Sequence, residues 1–599
     1  MGNFYTDNDD IRFLFRHMNL AKVAGLQEEE FKHAGQFEIA PANAEEAITN
    51  YDMVLNSVGE LSADFIAPRS EDIDHEGNTL NEDGTVSYAK GIAESLEALS
   101  KADVMGFTLP HRYGGLNFPS LIYSMAIEMV SRADASLMNI FGLQGIAETI
   151  NFFADEDIKQ HYLPDFADGN VTGAMVLTEP DAGSDLQACN LRAFQDDEGN
   201  WLLHGVKRFI TNGCGEVLLV LARSEDRTGG LGLSLFVCDR GPTVKVRRLE
   251  DKLGIHGSPT CELFFDNTPC QLIGERQRGL VTYVMSLMNG ARIGIAGQSM
   301  GIAEATYRIA RDYAASREQF GVPIEKLPAV RDMVIDMKMA IEAGRALLYE
   351  TGWIVDHEIG LSKIIENSED KGAVKAAKKG LKFIKRLAGM LTPMSKYFCS
   401  EMSNTVSYDA IQVLGGSGYM RDYACERYAR DARITTIYEG TSQLQVVAAV
   451  RGVCGGTGEK YMAQLAAKEY GDHVKDLTDM LAEGTETLLE CAKFAKDQGI
   501  DYMDLYGRQI VDIAIALIIG YYFCDQASSK VEMEVPVADN GDAEAPKTVS
   551  MAKRKETIAR RYITRNAVLI KTLAAEVLSG DKSTFEDYEA LIGPVPEIA

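Results

Sequence analysis

Four short segments of this chain carry residue types suited to binding and chemistry. In Val176-Leu177-Thr178-Glu179-Pro180-Asp181-Ala182-Gly183-Ser184-Asp185 an apolar run passes into small, hydroxyl-bearing residues. Backbone N–H groups and the Ser184 hydroxyl there suit a pyrophosphate, and Thr178 suits a hydrogen bond to a ring edge. The same run also reads as an ordinary Asx/Gly turn. Lys207-Arg208-Phe209-Ile210-Thr211-Asn212-Gly213 is a strand ending in Asn-Gly, which alone is simply a turn. In Ser316-Arg317-Glu318-Gln319-Phe320-Gly321 the Arg317 guanidinium offers a planar fork suited to phosphate, although an Arg at a helix end also serves the helix dipole. The fourth segment is Gln412-Val413-Leu414-Gly415-Gly416-Ser417-Gly418, followed by Arg430-Asp431-Ala432-Arg433 and Ile437-Tyr438-Glu439-Gly440-Thr441-Ser442-Gln443. Glu439 sits where Gly440 interrupts a helical pattern, and Thr441 can cap the next helix. Taken singly, such a Glu reads as structural.

Other chemistries lack their residues. There is no G-x-x-x-x-G-K-[ST] loop, no G-x-G-x-x-G opening a βαβ unit, and no H-E-x-x-H among the nine histidines. No metal site is therefore expected. Gly297-Gln298-Ser299-Met300-Gly301 fits G-x-S-x-G but lies inside a helical pattern, whereas a nucleophile elbow needs a strand-to-helix turn. The ten cysteines contain no C-x-x-C pair and read as reduced, mostly buried thiols. A net charge of −28 argues against nucleic-acid binding and against docking on anionic membranes. The N-terminus lacks the apolar stretch of a secretory signal, and the most apolar run, 513–524, is shorter than the ~20 residues a membrane span needs. A soluble, cytoplasmic protein without a membrane span is expected.

The elements that must position these segments follow from hydrophobic periodicity. From about Ala44 to Leu163, within an N-terminal helical domain of 1–170, the pattern is helical, with Ala89, Ile92, Ala93, Leu96 and Leu99 forming one stripe and a second helix starting at Ser120 and running to about Met138. From 171 to 279 come six short β-rich runs, 173–177, 201–210, 217–222, 233–237, 244–248 and 263–265, with no helical pattern between them. They predict a compact antiparallel barrel or sandwich. Helical spacing resumes over 280–453, as in Ile302, Ala305, Ile309 and Tyr313. Cys454-Gly455-Gly456-Thr457-Gly458 reads as a linker into an extra C-terminal helical domain, 454–599, interrupted by a mobile loop at 528–548. The fold class is α+β and multi-domain: N-terminal helices, a β domain, a helical bundle, then extra helices.

In this order and at these separations, the four segments resemble the acyl-CoA dehydrogenase family. T-E-P-D-A-G-S-D and I-Y-E-G-T-S-Q carry the resemblance, which covers about 44–451, and the extra C-terminal helices resemble the family's larger members. The resemblance implies FAD as cofactor, with Thr178 and Ser184 at the flavin ring and diphosphate, and Phe209 and Thr211 along the ring edge. It implies that Arg317, Phe320, Gln412 and Gly416 reach the FAD of a neighbouring subunit, hence a homodimer or homotetramer, and that Thr441 and Gln443 lie near the cofactor. Arg292 and Gly440 would stand at the thioester. Pro328 occupies a position where many members carry a Gln that touches the cofactor. Ala291 occupies the alternative place of the catalytic Glu, which leaves Glu439 as the base. The implied activity is α,β-dehydrogenation of an acyl-CoA thioester in fatty-acid β-oxidation. Glu439 would take the α proton while the β hydride passes to the flavin, and electrons would pass on to an electron-transferring flavoprotein. An acyl-CoA oxidase or a non-enzymatic family member is the alternative.

Overall fold

The computed structural model describes residues 2–537 and 547–597. The chain forms two compact units, Met1–Ala388 with Ser395–Ser442, and Gly389–Met394 with Gln443–Ala599. In the first unit, helix α1 (Ser120–Ala133) is buried almost throughout, and α2 (Ala135–Leu143) follows it directly. The periodicity predicts one helix there. Asp134 divides it, because its backbone leaves the helical region (φ −152°) and its carboxylate accepts the Leu137 N–H at 2.7 Å, capping α2.

The β region holds seven strands: β1 (Gly173–Val176), β2 (Arg192–Gln195), β3 (Trp201–Thr211), β4 (Val217–Arg223), β5 (Leu233–Asp239), β6 (Val244–Leu249) and β7 (Thr260–Ile273). The pairing β4–β2–β3–β7–β5–β4 closes on itself, so the sheet is a barrel, with β1 added on β4 and β6 on β7. It is not wholly antiparallel. β1 runs parallel to β4, and β2 meets β4 in parallel at Arg192 and Arg223. The pattern misses β2 entirely, and β7 extends well beyond 263–265. Strand β4 reads as unbroken apolar sequence because both its faces are covered. Leu218 and Val220 point into a cluster with Leu203, Phe236 and Leu263, while Leu219 and Leu221 pack with Ile146, Ile150 and Phe166 of the flanking helices.

Three long helices follow in sequence: α3 (Met285–Ser316), α4 (Pro328–Asn367) and α5 (Lys371–Leu414), then the short α6 (Cys425–Ala432). Helix α3 crosses α1 closely. A Cβ at Gly301 would lie 2.4 Å from the Glu128 carbonyl oxygen, so only glycine fits. Ser299 lies in mid-helix, buried, with its hydroxyl donating to the Ile295 carbonyl at 2.8 Å, so the G-x-S-x-G run is core rather than an elbow.

The second unit contains α7 (Ser442–Cys454) beyond its first residue, α8 (Lys475–Gln498), α9 (Gly507–Ala527) and α10 (Met551–Leu578). Helix α9 extends past the 513–524 run on both sides and, among the described residues, is the one helix long and apolar enough to cross a membrane. It packs against α8 and α10, and 89% of that apolar window is buried inside the protein, as in a core helix. Of the loop expected at 528–548, residues 538–546 lie outside the described residues. The flanking segments Glu534–Pro536 and Thr548–Ser550 pair antiparallel.

Candidate functional site

Strand β1 leads into the first chemical segment, which folds as a tight loop: the Glu179 and Ala182 backbones exchange hydrogen bonds of 3.0 and 3.2 Å. A buried ion pair sits beneath it. The Lys207 ammonium, wholly buried on β3, lies 2.9 Å from the Glu179 carboxylate and donates to the Leu177 carbonyl at 2.6 Å. Glu179 also accepts the backbone N–H groups of Asn190 and Leu191 at 2.7 and 2.9 Å. Such a pair is stable out of water because every charge has a partner. Thr178 is half-buried, whereas Gly183 and Ser184 face outward, and a Cβ at Gly183 would meet nothing nearer than Thr178 at 3.9 Å.

The second segment lies beside the first, since the Arg208 N–H donates to the Thr178 carbonyl at 2.9 Å. Between Lys207 and Ile210, β3 carries one residue more than β7, so the strand bulges. The bulge keeps Lys207 inward and leaves Phe209 at φ +59°, 52% exposed. A phenyl ring held in that conformation and turned outward offers an apolar face to a planar group. Thr211 closes the strand, half-buried, and the Asn212 side chain is fixed by the Tyr88 hydroxyl at 2.6 Å and the Gly173 carbonyl at 3.0 Å.

Hydrogen bonds run from this strand end to Tyr438, the residue before Glu439. The Asn212 N–H donates to the Pro259 carbonyl at 2.7 Å, the Asn139 amide donates to the Ser258 hydroxyl at 3.3 Å, and the Tyr438 hydroxyl donates to Asn139 at 3.2 Å. Tyr438 also donates to Gln298, whose amide in turn donates to the Ala135 carbonyl at 2.9 Å. Strand β3, α2, α3 and the turn before α7 are thereby joined.

Glu439 has φ +55° and Gly440 φ +91°, two left-handed residues in succession. Holding a non-glycine residue there takes surrounding support. The Lys396 ammonium on α5 provides it, donating to the Gly440 carbonyl at 2.8 Å. The Glu439 side chain keeps a small opening to solvent, yet burial pushes its carboxyl up to about 7, while Lys396 and Arg292 draw it back toward the ionised form. Burial likewise brings the Lys396 ammonium down to about 7, with Glu439 opposing the shift. Arg292, on α3, is lowered by burial. It donates to the Asn289 side chain at 3.2 Å, and its buried Nε has no protein partner. Lys396 and Arg292 thus both act on one largely buried carboxyl. A carboxylate near neutrality is a far stronger base than one in water.

The remaining positions, all but Gln443, lie in the first unit. Arg317 and Phe320 are exposed beyond α3, Phe320 by 91% at φ +56°. Gln412 and Gly416 are exposed at the end of α5. The Tyr313 hydroxyl donates to Ser417 at 3.3 Å and brings these two segments together. Thr441 is half-buried after Gly440, and Gln443 is exposed at the start of α7. Pro328 is the first residue of α4, and Ala291 sits half-buried beside Arg292.

Sequence reasoning missed Lys207 and Lys396. The signal for Lys207 lies in the alternation of β3, where it takes the inward place that Leu203 begins. Lys396 is a single cation amid Met394, Tyr397, Phe398 and Cys399.

Comparison with known proteins gives a consistent match. The models for the acyl-CoA dehydrogenase N-terminal, middle and C-terminal domains match residues 49–170, 174–268 and 278–453. The chain is 35% identical over 369 residues to an acyl-CoA dehydrogenase of Bacillus subtilis, covering 60% of this chain and 90% of that protein. The butyryl-CoA dehydrogenase structure of Megasphaera elsdenii superposes with a TM-score of 0.57 at 30% identity, over 67% of this chain and 96% of that one. A Bacillus anthracis acyl-CoA dehydrogenase complexed with FAD shares the fold with a TM-score of 0.73 at 21% identity. That match covers 91% of this chain and 90% of that one, so it takes in most of the C-terminal helices.

Proposed function

This chain belongs to the acyl-CoA dehydrogenase family of FAD-dependent oxidoreductases, and from that premise we propose that Glu439 is the base that takes the α proton of an acyl-CoA thioester. FAD is the family's cofactor, and the residues present suit it. Gly183 and Ser184 leave an open cradle beside Thr178, and Phe209 presents an apolar face along the same edge. When bound, FAD accepts the β hydride.

The observation that carries the reading is the left-handed Glu439–Gly440 turn, pinned by the Lys396 ammonium at the Gly440 carbonyl and adjoining Tyr438, which hydrogen-bonds toward the Phe209 strand; burial pushes the Glu439 carboxyl up to about 7. An α C–H beside a thioester is weakly acidic, so the proton moves only to a base shielded from water. Glu439 receives it on a carboxylate oxygen, and Lys396 and Arg292 balance its charge beforehand. Arg292 and Gly440 are read as substrate contacts. Thr178, Ser184, Phe209, Thr211, Thr441 and Gln443 are read as flavin contacts within one subunit. Arg317, Phe320, Gln412 and Gly416 are read as contacts to the flavin of a second subunit, which fits the 91% exposure of Phe320 and implies a homodimer or homotetramer. An electron-transferring flavoprotein is read as the acceptor, and the cytoplasm as the compartment.

The test is Glu439→Gln. The variant should stay yellow and fail to bleach when acyl-CoA is added without oxygen. Bleaching at the normal rate would exclude Glu439 as the base. A panel of acyl-CoAs of different chain length, read by the same bleaching, assigns the substrate.

A further inference from the structure

Lys396 stands in an apolar stretch of α5 and has no exposed surface. Its ammonium donates to the Gly440 carbonyl at 2.8 Å, one residue beyond the base. An ammonium out of water is unfavourable unless hydrogen-bonded and matched by an opposite charge. The charged groups that act on it are Glu439 on the turn, Glu401 one turn along α5, and Arg292 on α3. Glu401 is engaged by the Ser442 hydroxyl at 2.6 Å, and Arg292 is of like sign, so Glu439 is the counter-charge placed to match it. Tyr438, the remaining titratable neighbour of Glu439, is committed to Gln298 and Asn139.

We propose that Lys396 is a positioning residue for the base: it pins the left-handed Glu439–Gly440 turn through the Gly440 carbonyl and supplies the counter-charge that keeps the Glu439 carboxyl ionised in a closed site. The proposal rests on the reading of Glu439 as the base, and it separates into two parts. The hydrogen bond fixes where the carboxyl points. The charge fixes the pH at which it ionises, because removing a nearby cation makes ionisation harder.

Three variants of the FAD-loaded protein distinguish these parts. Lys396→Met removes bond and charge, Lys396→Gln keeps a donor without charge, and Lys396→Arg keeps the charge. The carboxyl band of Glu439, assigned in infrared difference spectra by its absence from Glu439→Gln, is titrated against pH in each. Anaerobic flavin bleaching by acyl-CoA is followed over the same range. In Lys396→Met and Lys396→Gln the band should titrate at least about one pH unit higher, and bleaching at pH 7 should slow about fivefold or more and recover as pH rises. Lys396→Gln should retain the higher limiting rate of those two, and Lys396→Arg should titrate near wild type. If Lys396→Met does not fold, Lys396→Gln carries the titration. A band that titrates where it does in wild type, or bleaching slowed by one factor at every pH, would overturn the proposal. Should Glu439→Gln still bleach, the base assignment falls, while the infrared titration still decides whether Lys396 governs that carboxyl.

Discussion

Replacing Glu439 with Gln should raise the stability of the fold while abolishing proton abstraction. A glutamate ordinarily ionises near 4.5, and burial moves Glu439 to about 7. Below 4.5 both the folded and the unfolded chain hold the proton, and the shift has no effect. As pH rises past 4.5 the unfolded chain releases it first, so the folded state loses stability steadily until about pH 7 and no further above that. The full penalty is about 3 kcal/mol at 1.36 kcal/mol per pKa unit. Gln has the shape of Glu and no charge to bury, so the variant recovers it. Removing the Glu439 charge also strips Lys396 of its partner. That loss offsets part of the recovery, so the informative quantity is the difference between pH 8 and pH 5. At about 2 cal/mol/K of unfolding entropy per residue, a unit of this size moves about 1 °C per kcal/mol. The thermal midpoint of Glu439→Gln, with saturating FAD, should rise by about 2–3 °C at pH 8 and by less than about 1 °C at pH 5. An equal shift at both pH values, or a fall at pH 8, would show that the carboxyl is not held against its charge by the fold.

Four further substitutions probe the frame around the site and the exposed Phe320. Arg345 is wholly buried and bonded to Asp10 at 2.6 Å, Glu304 at 3.0 Å and Glu128; Arg345→Met strands those carboxylates and should destabilise by about 3–5 kcal/mol in urea unfolding. Lys207→Met should loosen the 177–185 loop, weakening FAD binding about tenfold or more in a fluorescence titration, at a stability cost of similar size to any broken buried pair. Adding Glu179→Gln should return much of that stability but not the affinity. Phe320→Ala should leave the unfolding free energy unchanged within about 0.5 kcal/mol, because the side chain is 91% exposed on its own chain. It should still weaken self-association about tenfold or more by light scattering, because a ring of that size contributes about 1.5–3 kcal/mol once covered.

Much of this organisation is legible in the residues. Strands β4 and β5 announce themselves as apolar runs, and the Gly440 interruption marks the place where Glu439 leaves the helical pattern. The misreadings share one cause, the dependence of local structure on distant partners. Strand β2 is four residues, Arg192–Gln195, with one of them buried, and it is a strand because β3 and β4 flank it. The break at Asp134 falls within a continuous helical pattern and depends on one side chain choosing a backbone N–H over solvent. Lys207 and Lys396 look like solvated surface charges until the fold encloses them, and only then does the carboxylate or carbonyl opposite explain them.

The N-terminal residues ahead of the family-matched region illustrate the same dependence. Glu128 on α1 and Glu304 on α3 are both buried where those helices cross, a crossing that Gly301 brings close. Two carboxylates in an apolar crossing repel unless cations stand between them. Arg345 supplies one from α4, and the surrounding cations, Lys338, Arg345, Arg308 and Arg132, hold Glu304 well below the usual carboxylate range. Charge is then balanced from the far end of the chain: Asp10 meets Arg345 at 2.6 Å, and Asp7 receives Arg132 through two bonds of 2.7 Å and Arg308 at 3.1 Å. The opening helix is itself capped by Asn8, whose side chain accepts the Asp10 and Ile11 N–H groups. The segment thus completes a charge network inside the helical layer, and α3, the helix it steadies, is the one that carries Arg292 toward Glu439.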